Sequence, residues 1–113
     1  MTFDDYRIAA YPTGSRYICT PPPQGTDNDT VILAKVGYEK ALEEQGFHYN
    51  MSEVDYETEG HFLSWRKGEE NYIVTCEQEF YDRFVKATDL AKLLNLKNKA
   101  HRIALFQAVL YDN

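Results

Sequence analysis

The sequence predicts an α/β (α+β) fold in which a small mixed β-sheet is packed by helices on one face, and three observations carry that reading. Short apolar runs such as Thr30-Val31-Ile32-Leu33-Ala34 and Asn71-Tyr72-Ile73-Val74-Thr75 have the length of strands. After them, Phe80, Phe84, Ala87, Ala91 and Leu94 recur every three or four residues, the period of a helix with one buried stripe. The 113 residues, 43% of them hydrophobic, suffice for the core of one domain, residues 1–113, without a disulfide or metal to hold it together.

The elements follow in order. Residues 2–7 form a short turn or helix leading into a first strand over 8–11, which Pro12 ends by removing a ladder donor. Thr13-Gly14-Ser15 reads as a turn, and Pro21-Pro22-Pro23-Gln24-Gly25 as a stiff extended arch. Asp27 and Asp29 stand at the mouth of the next strand, which continues through the run at 30–34. Residues 36–46 suit a helix with Tyr38, Ala41, Leu42 and Gln45 inward, ended by Gly46. A polar and aromatic strand is expected within 47–58, and a hairpin pairs 61–66 with 71–75 around Lys67-Gly68-Glu69-Glu70. Two helices close the chain, over 76–94 and 97–111. The last carries Ile103, Ala104, Leu105, Phe106, Val109 and Leu110 around most of its circumference, which implies deep burial, a homodimer contact or a face for another protein.

Charge and cysteine usage exclude several classes. With 12 Lys plus Arg against 18 Asp plus Glu, the formal net charge is −6, which repels a polyanion and makes extended nucleic acid an unsuitable partner. Lys92, Lys97, Lys99, His101 and Arg102 gather near the junction of the last two helices, where they suit a solvated helix end better than a ligand site. Cys19 and Cys76 lack the spacing of a zinc site and read as two buried, reduced thiols. The acidic start of the chain lacks an apolar signal core, and no run approaches the ~18 apolar residues of a membrane span, so a cytoplasmic protein without membrane contact is expected.

The chemistry lies in Gly14-Ser15-Arg16 and Thr26-Asp27-Asn28-Asp29. Alternation along a strand puts Asp27 and Asp29 on one face, where two carboxylates offer hard oxygens to Mg²⁺. Gly14 lets the backbone approach a phosphate, and Ser15 adds a hydroxyl and an amide donor. Tyr11, Tyr17 and Trp65 lie close enough in this reading to stack a base.

A Gly-Ser turn followed about a dozen residues later by Asp-x-Asp on a strand resembles the nucleotidyltransferase superfamily of DNA polymerase β. The tail, from Asn71-Tyr72-Ile73-Val74-Thr75 through Arg102-Ile103-Ala104-Leu105-Phe106, is similar to the small nucleotidyltransferase-like proteins of tailed phages. The resemblance implies a minimal nucleotidyltransferase fold and, for a phage product, the host cytosol. It also implies a nucleoside triphosphate as substrate, with Mg²⁺ or Mn²⁺ bound by Asp27 and Asp29. Gly14, Ser15 and Arg16 would bind the phosphates, and a nucleoside monophosphate would pass to a hydroxyl acceptor. The superfamily completes its site with a third acid on a neighbouring strand, and here that position aligns with Asn71, whose amide can bind a metal but cannot act as a base. Glu69, on the same face by the period of two, is the candidate substitute if the register or a bulge allows it, so the catalytic set is Asp27, Asp29 and Glu69; the other reading of Glu69 and Glu70 is as solvated turn residues between the two hairpin strands. The alternative is a catalytically inert phage protein of this fold that binds and modulates a host protein.

Overall fold

The computed structural model describes residues 3–21, 28–49 and 62–111, with the side chains of residues 3, 4 and 111 left aside. A single 3-10 turn, Phe3–Tyr6, leads into β1 (Arg7–Thr13) and α1 (Gly14–Ile18). There follow β2 (Asn28–Ala34), α2 (Tyr38–Glu44), β3 (His48–Tyr49), β4 (Leu63–Lys67), β5 (Glu70–Thr75), α3 (Gln78–Leu93) and α4 (Lys99–Tyr111). The five strands form one sheet in the order β1-β2-β5-β4-β3. Only β2 and β5 run parallel; the other pairs are antiparallel, so the sheet is mixed and the α+β class holds.

Alternation along the strands sorts the core into two clusters. Val31, Leu33 and Ile73 face α1, α3 and α4, while Ile32, Ala34, Val74 and Trp65 face Tyr38 and Leu42 of α2. Helices on one face therefore describes α1, α3 and α4 but not α2, which covers part of the opposite face because Tyr38 and Leu42 are wholly buried there. The larger cluster is laced by rings. Phe62 stacks on Phe80 with centroids 5.6 Å apart, Phe80 meets Phe84 at 5.9 Å, and Phe84 meets Phe106 edge-on at 5.0 Å. Removing a ring such as that of the fully buried Phe84 costs about 3–5 kcal/mol, a large share of a small domain's stability.

Several local readings change. Pro12 lies inside β1 rather than beyond it, opposite Thr30, because β1 is the edge strand and a missing donor is tolerated there. The turn at 13–15 becomes the strand-to-helix junction of β1 and α1. Of the strand expected over 47–58, His48–Tyr49 pairs with Arg66 and Trp65, and residues 50–58 lie outside the described residues, as does the arch at 22–25. Leu94 is 60% exposed, since α3 ends at Leu93 and the chain turns there. In α4, Phe106 and Leu110 are buried and Leu105 and Val109 half-buried against α3, whereas Ala104 is exposed, so one face rather than most of the circumference is covered.

Arg102 is a structural clamp, not part of an exposed basic patch. Its buried Nη1 donates to the carbonyls of Leu96 at 3.0 Å and Lys97 at 2.8 Å and lies 3.5 Å from Cys19 Sγ, tying the α3–α4 loop to the segment after α1. Cys19 is buried, but Cys76 is exposed, because it falls in the short link between β5 and α3 instead of on the buried helix stripe. Among the described residues, no helix is long and apolar enough to cross a membrane.

Candidate functional site

The β1–α1 junction is built around one close approach. Gly14 adopts φ +78°, in the left-handed region that side chains rarely occupy. A Cβ placed there would stand 2.1 Å from Asp29 Oδ2, 2.8 Å from its Cγ and 2.9 Å from its Cβ, so the Asp29 side chain fills the space a residue-14 side chain would need. The β1–β2 register enforces this contact by setting Thr13 opposite Asp29. Thr13 is itself anchored. Thr88 donates its hydroxyl proton to the Phe84 carbonyl at 2.9 Å, which leaves Thr13 as donor in the buried 2.7 Å contact between the two hydroxyls.

On the other side of β2, the parallel register sets Asp29 opposite Asn71. Asn71 Nδ2 donates to Asp29 Oδ1 at 3.1 Å, so the amide and the carboxylate meet directly. Asn71 is only 2% exposed, and its Oδ1 has no hydrogen-bond partner among the described residues. Leaving such an acceptor unsatisfied costs about 1–3 kcal/mol, so a donor or cation reaching this oxygen would be stabilising. One residue back on each strand, Asn28 Nδ2 lies 3.0 Å from both Glu70 carboxylate oxygens, which holds Glu70 on the opposite face as alternation requires.

The remaining site residues divide. Gly14, Asp29 and Asn71 are in direct contact, and Ser15 follows, half-buried, at the start of α1. Arg16 and Glu69 pair with each other at the rim, Nη2 to Oε2 at 3.6 Å, with side chains 41% and 81% exposed. A pair this open contributes about 0–1 kcal/mol. Of the two readings of Glu69, the solvated turn residue is the one found: with Gly68 at φ +60° it forms the two-residue turn of the β4–β5 hairpin, where the strand period that would set it behind Asn71 no longer applies. Asp27 lies outside the described residues. Among those described, no group of three His, Cys, Asp or Glu side chains comes together, so the metal reading rests on Asp27 together with Asp29.

The aromatic candidates separate as well. Tyr11 and Tyr17 lie on the α3 side with rings edge-on at 5.9 Å. The Tyr11 hydroxyl donates to Asp89 Oδ1 at 2.6 Å, and that bond, followed by its contact with Tyr17, pushes the phenol well above its ordinary range. Lys92 Nζ sits 3.9 Å over the Tyr17 ring and donates to the Tyr17 carbonyl at 3.1 Å. Trp65 is buried on the α2 face beside Tyr49, across the sheet from Asp29, and is not part of this junction.

One residue of this face escaped the sequence reading. Arg66 on β4 is the antiparallel partner of Asn71 and so shares a face with Asn71 and Asp29. Counting back from the two-residue turn at Gly68-Glu69 would have found it, because Lys67 then pairs with Glu70 and Arg66 with Asn71. Comparison with known protein families, curated proteins and solved structures finds no match for this chain.

Proposed function

We propose that the chain is a nucleotidyltransferase-like domain that binds a nucleoside triphosphate together with Mg²⁺ or Mn²⁺ at the Gly14, Asp29 and Asn71 junction. The observation that carries this reading is the Asp29 carboxylate held between a glycine with no room for a side chain and a buried amide whose oxygen has no other described partner. The donors suit the metal: carboxylate and amide oxygens are hard ligands, and Mg²⁺ takes one or two carboxylates and completes its shell with phosphate and water. When bound, the metal neutralises phosphate charge and polarises the phosphorus that is attacked. Asp27 and Asp29 would hold it. Asn71 orients the Asp29 carboxylate by donating to its Oδ1, and the side chain occupies the space beside Gly14. Ser15 and the Gly14 backbone would take the outer phosphates, with Arg16 beside them at the rim.

Transfer of the nucleoside monophosphate to a hydroxyl requires a proton acceptor. Asn71 cannot serve, which leaves Glu69, held at the rim by Arg16. The amide at position 71 is also the specific observation that favours the second reading, a catalytically inert phage-type protein of this fold that binds a host protein.

Titration calorimetry with ATP, GTP, CTP and UTP in Mg²⁺ or Mn²⁺ tests the binding. Incubation with the α-labelled nucleotides and a cell extract tests transfer. Asp29→Asn should abolish metal-dependent binding, and Glu69→Gln should abolish transfer while sparing binding. Binding without transfer selects the inert reading. Absence of metal-dependent binding to all four nucleotides rejects the nucleotide reading.

A further inference from the structure

We infer that Asn95, just past the end of α3, is a positioning residue for the Gly14-Ser15-Arg16 turn, and that it acts by holding the segment after α1 rather than by stabilising the fold. The inference rests on the nucleotide reading above and adds to it a residue that works from outside the junction.

Asn95 stands where a glycine is ordinary. The Leu96 amide donates to the Ala91 carbonyl at 3.1 Å and the Asn95 amide to the Lys92 carbonyl at 3.0 Å, with Asn95 at φ +48°. This left-handed stop usually carries glycine, because most side chains are strained at that φ. Asparagine tolerates it, and here the side chain is used. Its Oδ1 accepts from the Thr20 amide at 3.1 Å, and its Nδ2 donates to the Thr20 carbonyl at 3.4 Å. One side-chain amide thus engages both backbone groups of one residue.

Thr20 is the last point of a longer grip. Thr88, Lys92 and Asn95 follow one another at helical spacing and hold successive points of the segment 13–20. The Thr13 hydroxyl donates to Thr88 at 2.7 Å, Lys92 Nζ donates to the Tyr17 carbonyl at 3.1 Å, and Asn95 takes Thr20. Gly14, Ser15 and Arg16 lie between the first anchor and the second. A five-residue helix has too few internal bonds to fix its own orientation, so α1 is set from α3, in front through Thr13 and behind through Tyr17 and Thr20. The Cys19 amide closes α1 on the Ser15 carbonyl at 3.0 Å, which carries the state of the rear anchor to Ser15. Asn95 is exposed, so water can replace it at Thr20 with little effect on global stability.

Asn95→Gly separates positioning from stability, because glycine suits the left-handed stop and only the contact with Thr20 is removed. The melting temperature should hold or rise. Hydrogen exchange at the Cys19 amide should quicken, and Asn95→Asp, which keeps the acceptor for the Thr20 amide, should restore most of its protection. Calorimetry on the whole chain, with whichever of ATP, GTP, CTP and UTP the wild type binds most tightly in Mg²⁺ or Mn²⁺, should show binding by Asn95→Gly weakened about three- to tenfold, the size of one lost hydrogen bond. A merely structural Asn95 would move the melting temperature and leave the affinity of the folded protein alone. Unchanged exchange at Cys19 or unchanged affinity in a folded Asn95→Gly overturns the proposal and leaves the nucleotide reading standing. A wild type that binds none of the four nucleotides removes that reading and this one with it. Should Asn95→Gly lower the melting temperature, Lys92→Met decides: faster exchange at Cys19 together with weaker binding supports the grip from α3, and either one unchanged rejects it.

Discussion

Replacing Gly14 by alanine should be far more damaging than the same change at Gly68, and the difference measures how tightly Asp29 packs on the β1–α1 junction. Both glycines have positive φ, +78° and +60°. Both substitutions therefore carry about 1–2 kcal/mol of left-handed strain, offset by about 0.4–1 kcal/mol from a stiffer unfolded chain. At Gly68 a Cβ would meet nothing within 4 Å, so the account ends there, near 1 kcal/mol. At Gly14 the new methyl would overlap not only the Asp29 oxygen at 2.1 Å but also its Cβ at 2.9 Å, an atom fixed to the backbone that no rotamer change can move. Asp29 must shift, and the 3.1 Å bond from Asn71 is lost, a charge-assisted bond worth about 1.5–3 kcal/mol. Gly14→Ala should then cost about 2.5–4 kcal/mol, or roughly 10–16 °C in Tm against roughly 4 °C for Gly68→Ala. Urea unfolding of both variants gives the comparison. Adding Asp29→Gly to Gly14→Ala should recover part of the loss as a coupling of about 1–3 kcal/mol. Equal costs for the two alanine variants, within about 0.5 kcal/mol, would refute the close approach and the preformed site built on it.

Two other perturbations follow from the same structure. Arg102→Ala strips the Leu96 and Lys97 carbonyls of their buried donor and should cost about 2–4 kcal/mol in urea unfolding, whereas the exposed Lys97→Ala should stay within about 0.5 kcal/mol; similar values for both would return Arg102 to the surface patch. Alkylation of the native protein should modify Cys76 and spare buried Cys19. Although Cys76 is open to solvent, partial desolvation by its neighbours first, then the charges of Glu39 and Glu77, push the thiol up, so its rate should reach half-maximum at higher pH than for a free cysteine and remain slow at neutral pH. Glu39→Gln with Glu77→Gln should move that midpoint down, and a native Cys76 that reacts like free cysteine at neutral pH would contradict the environment described.

Periodicity made the long elements legible. The stripe of Phe80, Phe84, Ala87 and Ala91 is the core face of α3, and the apolar runs at 30–34 and 71–75 are central strands, because burial on both faces of a strand demands such runs. Only the family resemblance sets Asn71 on a strand neighbouring Asp29; the parallel register that makes them direct partners belongs to the fold. What could not be read depends on contacts between distant segments. Nothing in the local sequence of Arg102 distinguishes it from Lys97 or Lys99; its burial comes from carbonyls that only the α3–α4 turn presents. Glu69 keeps its place in a strand only until Gly68 supplies a turn, and Trp65 reaches the far face through one step of register.

Pro12 carries a consequence for encounters between copies of the chain. A seven-residue edge strand with Ile8 more than half exposed is the sort of surface on which a second molecule could dock a strand of its own and begin to aggregate. The proline stands near the end of that strand, beside the Gly14 junction, and withholds a backbone donor that such an intruding strand would need. The residue that interrupts the sequence pattern of β1 thereby protects its open side and keeps the approach to Gly14 and Asp29 clear of neighbouring strands.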